Sequence, residues 1–145
     1  MSTQQFLDDM KKVQVNLLDF IDNESNDEDL FQKLKKLFDD QKISEDQHKL
    51  EPVLHLLTVI ANDHHRGPNF FDKIEQIIKL FKDDIKKYFT NWQIFTIFKS
   101  SKRILLILIE EGMLTLDSRV VKEIVMYNNF QKQKYNTLRQ KSNHS

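Results

Sequence analysis

A chain of 145 residues, 39% hydrophobic and 30% charged, has the length of one ordinary domain and enough apolar material to bury a core without staples. Its two glycines and two prolines disfavour sandwiches, barrels and glycine-rich nucleotide loops, which need φ > 0 at many corners, and the lack of cysteine excludes disulfide frameworks and thiolate metal sites. The formal charge is zero but uneven: residues 1–63 hold 14 acidic and 7 basic side chains, residues 64–145 hold 8 and 15, an opposition of −7 and +7 that reads first as two differently solvated faces and second as a field to steer a partner or orient neighbouring copies.

Met1-Ser2-Thr3-Gln4-Gln5 lacks the basic and apolar regions of a signal peptide. The longest aliphatic run, Ile104 to Ile109, is far shorter than the ~20 residues of a membrane helix. A soluble, cytoplasmic protein with no membrane contact is expected.

From Gln4 to Ile21, Phe6, Met10, Val13, Leu17 and Phe20/Ile21 recur at steps of three and four, the period of one helix face. Asp22 to Asn26 ends this helix, and Leu30, Phe31, Leu34, Leu37 and Phe38 repeat the spacing behind an N-cap at Asn26 or Asp27. Ser44-Glu45-Asp46-Gln47 has the form of a capping box and predicts the next helix, carrying Val53, Leu54, Leu57, Ile60 and Ala61. Pro52 lacks an amide hydrogen and costs about 3 kcal/mol inside a helix, which predicts a kink or break near Lys49 to Glu51.

Asn62 to Asn69 is the clearest punctuation. Phe70/Phe71, Ile74, Ile77/Ile78, Phe81, Ile85 and Tyr88/Phe89 follow, as one helix or as two broken at Asp83-Asp84. Thr90-Asn91-Trp92-Gln93 is a second capping box, ahead of Ile94, Phe95 and Phe98. Ser100 or Ser101 restarts the chain for the aliphatic run, Gly112 sits where a left-handed C-cap belongs, and Asp117 caps Val120, Val121, Ile124 and Val125. Seven or eight helices on short loops predict an all-α fold of stacked helical hairpins, an ankyrin-like or solenoid-like array. Residues 1–127 form the expected single domain, and 128–145 a basic polar tail, frayed or disordered.

Asn62-Asp63-His64-His65-Arg66, the run from Pro68 through Ile77, Asp83-Asp84-Ile85-Lys86-Lys87, and Ile94-Phe95 with Phe98 through Leu105 resemble a protist family. It is the helical N-terminal domain that precedes ankyrin repeats in parasitic-protist ankyrin-repeat proteins. The likeness spans about residues 10 to 125, and Arg103 through Gly112 also looks like the second helix and turn of an ankyrin repeat. The resemblance implies a non-enzymatic scaffold that binds another protein, with no catalytic residue to carry over. No ankyrin array follows Tyr127 in this sequence, a departure from the pattern.

Residue chemistry points the same way. His64 and His65 are neighbours on a short segment and lack the ligand spacing of a zinc motif, so His64, His65, Arg66, Gly67 and Pro68 read as a structural turn that sets the angle between helices. His48 and His55 are seven apart and are expected on one face at the edge of the core. The pairs Asp8-Asp9, Asp39-Asp40, Asp83-Asp84 and Glu110-Glu111 read as solvated faces and helix ends, because adjacent helical carboxylates diverge by about 100°. No catalytic residue, metal ligand or cofactor site is assigned. Trp92, near a helix start, reads either as a core residue or as a half-exposed partner-binding anchor. The alternative function is weak nucleic-acid binding by the basic tail, where Lys132, Lys134, Arg139 and Lys141 interleave with Phe130 and Tyr135.

Overall fold

The computed structural model describes residues 3–63 and 69–143, and all regular structure among them is helical. Helices α1 (Thr3–Asp22), α2 (Glu28–Asp40), α3 (Gln47–Ala61), α4 (Phe70–Leu80), α5 (Lys82–Tyr88), α6 (Asn91–Phe98), α7 (Lys102–Glu110) and α8 (Ser118–Asn143) are joined by short links, with one 3-10 turn at Ile43–Glu45. The chain divides into two units, Met1–Leu114 and Thr115–Ser145. Helix α8 crosses residue 127, where the apolar pattern fades. Its residues 128–143 contain neither glycine nor proline, so no residue interrupts a helix that has no single apolar face.

In the first unit α1 packs on α2, α3 and α4, α3 also meets the 3-10 turn and α6, and α6 meets α7. The periodic stripes supply the core: Val13, Leu17, Phe20 and Ile21 from α1, Leu34, Leu37 and Phe38 from α2, Leu50, Val53, Leu54 and Leu57 from α3 and Ile74, Ile77 and Ile78 from α4. Seven of the eleven phenylalanines are buried, so the aromatic content serves packing. Phe38 and Phe81 pack with ring centres 5.0 Å apart.

Most helix ends follow local chemistry. Asp27 accepts hydrogen bonds from the amides of Asp29 and Leu30 at 3.0 and 3.3 Å. Thr90 and Gln93 form the reciprocal capping box, with the Thr90 amide donating to Gln93 Oε1 at 2.9 Å and the Gln93 amide to Thr90 Oγ1 at 3.2 Å. Ser101 accepts from Ile104, and Asp117 from Val120. Gly112 has φ +72° and ends α7 in a Schellman turn: its amide donates to the Ile109 carbonyl at 3.1 Å and the Met113 amide to Leu108 at 2.8 Å.

Three local expectations are corrected. Ser44 lies within the 3-10 turn, and Asp46 is the cap of α3, accepting from the His48 amide at 2.9 Å. Pro52 sits inside an unbroken α3. The carbonyl deprived of its partner belongs to His48, an exposed residue in the first turn that water can reach, while Leu50, Val53, Leu54 and Leu57 hold the segment in the core. The Phe70 to Phe89 stretch is two helices, and the break falls at Phe81 rather than at Asp83-Asp84, which instead occupy the first turn of α5. There they face the positive end of the helix dipole, a favourable position for acids.

Candidate functional site

The best-built polar feature is the corner between α1 and α2. Helix α1 ends at Asp22 with no basic residue in its last turn, so its terminal carbonyls lack a local cation. Lys73, from α4, supplies one. Its side chain is 1% exposed, its Nζ donates to the Phe20 carbonyl at 2.9 Å and to the Asn23 carbonyl, and the ammonium lies 5.4 Å from the Phe20 ring centre. Burial pulls the Lys73 pKa below its ordinary value, against the opposing fields of Asp22 and Asp27. Asn69 Nδ2 donates to the Glu24 carbonyl at 3.3 Å and pins the outer turn. The corner is thus held from within by residues some 50 positions away. Its stretch Asp22 to Asp29 contains five acids and no base, and Glu24, Glu28 and Asp29 are exposed.

A second polar cluster joins α4 to the end of α7. Lys79 Nζ lies 3.3 Å from Glu75 and 3.4 Å from Glu111, and Lys82 lies 3.8 Å from Glu111. Hydrogen bonds to Glu75 and Glu111 raise the Lys79 pKa. These are exposed or half-exposed pairs, which contribute little to stability.

A cleft of about 400 Å³ lies where the end of α3 meets the starts of α4 and α7, lined by Ala61, Asn62 and Asp63, by Phe70 and Phe71, and by Ser101, Lys102 and Arg103. The Arg103 guanidinium stacks 3.6 Å above the Phe71 ring centre. The Ser101 hydroxyl is the α7 cap, accepting from the Ile104 amide at 3.3 Å. Among the described residues no three His, Cys, Asp or Glu side chains gather as metal ligands, and no helix is long and apolar enough to cross a membrane.

Of the residues selected from sequence, Trp92 is half-buried at the start of α6 and packs against Phe95 with ring centres 5.5 Å apart. His64, His65, Arg66, Gly67 and Pro68 lie outside the described residues. His48 and His55 are exposed, not at the core edge, and His55 Nε2 lies 3.7 Å from Glu51 of the preceding turn. Among the acid pairs, Asp8 and Asp9 accept from Gln4 and Gln5 one turn earlier on an outer face of α1.

Helix α8 carries the feature that the sequence pattern did not single out. From Val125 to Arg139 every side chain is exposed, and Val125, Met126, Tyr127, Phe130, Tyr135 and Leu138 show 50–63% of their surface. Val121 and Val125 are four apart and share one side, as do Met126 and Phe130, but the two pairs lie about 140° apart around the helix. The i,i+4 pairing was the available signal. It is obscured because a two-sided pattern cancels in any search for one apolar stripe.

Comparison with protein-family models, with curated proteins and with solved structures found no significant match. The resemblance to the domain that precedes ankyrin repeats therefore rests on the residues quoted for it.

Proposed function

We propose that this chain is a non-enzymatic, cytoplasmic protein-interaction scaffold whose α8 presents the binding surface. The observation that carries the reading is that residues 125–139 are all exposed, six large apolar side chains among them showing half or more of their surface. Apolar surface concentrated in this way marks interaction sites, and an isolated helix is only marginally stable in water, so cover by a partner protein adds both burial and order. The resemblance to a scaffold module supports the same class.

The test places a benzophenone amino acid at Tyr127 or Phe130 and irradiates cells producing the full chain. Discrete protein adducts are expected, and Val125→Glu/Met126→Glu is expected to abolish them while leaving the helical circular dichroism intact. Adducts unchanged by that variant, or none from either position, would refute the reading.

The second reading, nucleic-acid binding, has its own observation: Lys132, Lys134 and Arg139 are exposed beside Phe130 and Tyr135, and no acid follows Glu123. Lys132 and Arg139 share one side of the helix, but Lys134 is rotated about 200° from Lys132, so the cations do not track one phosphate path. Salt-dependent RNA or DNA binding lost in Lys132→Gln/Lys134→Gln/Arg139→Gln would favour it over the scaffold.

A further inference from the structure

Residues 124–143 hold four basic residues and no acid. Lys132, Lys134 and Arg139 are exposed, Lys134 on the side of Tyr127, Phe130 and Leu138 and the other two across the helix, so this half of α8 is positive around an apolar side. Pairing it with the same helix of a second copy sets cations against cations, which opposes association. A complementary surface exists elsewhere in the chain. The α1–α2 corner exposes Glu24, Glu28 and Asp29, with Leu30 half-buried beside them and Val15 58% exposed on α1. Lys73 lies inside this corner, 1% exposed, where its bonds to the Phe20 and Asn23 carbonyls order the turn while the outward face stays acidic.

We propose that the basic, apolar half of α8 docks on the acidic α1–α2 corner of a second copy of this chain. The proposal rests on the reading of α8 as an interaction surface and names its partner. Phe130, Leu138 and Tyr127 supply apolar cover, and the opposed charges of the two surfaces steer and select the encounter. The contact joins two different patches, so it either closes reciprocally into a dimer or extends head to tail.

Sedimentation of the full chain tests this. The expected result is a concentration-dependent mass above the monomer at low ionic strength, falling to the monomer in about 1 M salt, where the Debye length is about 3 Å. Lys132→Glu/Lys134→Glu/Arg139→Glu and, separately, Glu24→Lys/Glu28→Lys are each expected to be monomeric with unchanged helical content. Mixed together they are expected to associate, because the native helix of the corner variant meets the native corner of the helix variant and the two reversed surfaces are also complementary. A monomeric wild type, association indifferent to salt and to both reversals, a mixture that stays monomeric, or a mass that disappears on nuclease treatment would each overturn the proposal. Benzophenone adducts from α8 to a different protein would leave the scaffold reading standing in all four cases.

Discussion

Replacing Lys73 by methionine keeps most of the side-chain volume and removes the ammonium that caps α1. In the native chain this group donates to the carbonyls of Phe20 and Asn23 at a 1% exposed position. A hydrogen bond from a charged donor contributes about 1.5–3 kcal/mol net, and a buried carbonyl left unpaired costs about 1–3 kcal/mol. Against these stands the burial of the charge, which the variant no longer suffers and which is the cause of the lowered Lys73 pKa. Weighing two lost bonds against that relief gives an expected loss of about 2–4 kcal/mol at neutral pH. The pH dependence has a definite sign. Between the lowered native pKa and the ordinary value of 10.5 the unfolded chain holds more protons at this site, so its contribution to stability rises with pH across that window. The difference between wild type and Lys73→Met is therefore expected to widen as pH climbs toward 10.5, a comparison that cancels the other lysines and the tyrosines. Urea titrations followed by circular dichroism from pH 7 to pH 10.5 measure it. A variant within about 0.5 kcal/mol of wild type at pH 7 would refute the capping role, and a difference that narrows with pH would refute the lowered pKa.

Leu57→Ala and Ile77→Ala, each fully buried, are expected to cost about 2–5 kcal/mol in chemical denaturation, and losses below about 0.5 kcal/mol in both would mean that these helix faces do not form the core. Gly112→Ala meets no atom within 4 Å of the added methyl, so its expected cost of about 1–2 kcal/mol is purely that of holding alanine at φ +72°; a neutral result would show that the turn relaxes. Thr90→Ala removes one half of the capping box of α6 and is expected to cost about 1 kcal/mol, with Thr90→Ser retaining most of it; equal losses from both would point away from the hydroxyl.

The helical fold and most of its boundaries were legible in the sequence because the responsible contacts are local. Asp27, Thr90 with Gln93, Ser101 and Asp117 each satisfy amides two or three residues away, and Gly112 acts through its own backbone angle, so residue type and position suffice. The stripes of α1 to α4 were legible for a related reason: one buried face imposes one period. Where tertiary forces compete, local chemistry misleads. The core kept α3 continuous through Pro52, and an acid already placed at Asp46 displaced Ser44 as the cap. Only the tertiary structure could decide that Lys73, an apparently ordinary surface cation on α4, is buried beneath a corner 50 residues away, because nothing in the composition of α1 names the distant group that neutralises its end. The exposure of α8 belongs to the same class. Its apolar residues are written in the sequence, but whether they are covered depends on neighbours that periodicity does not encode, and residues 125–139 are exposed.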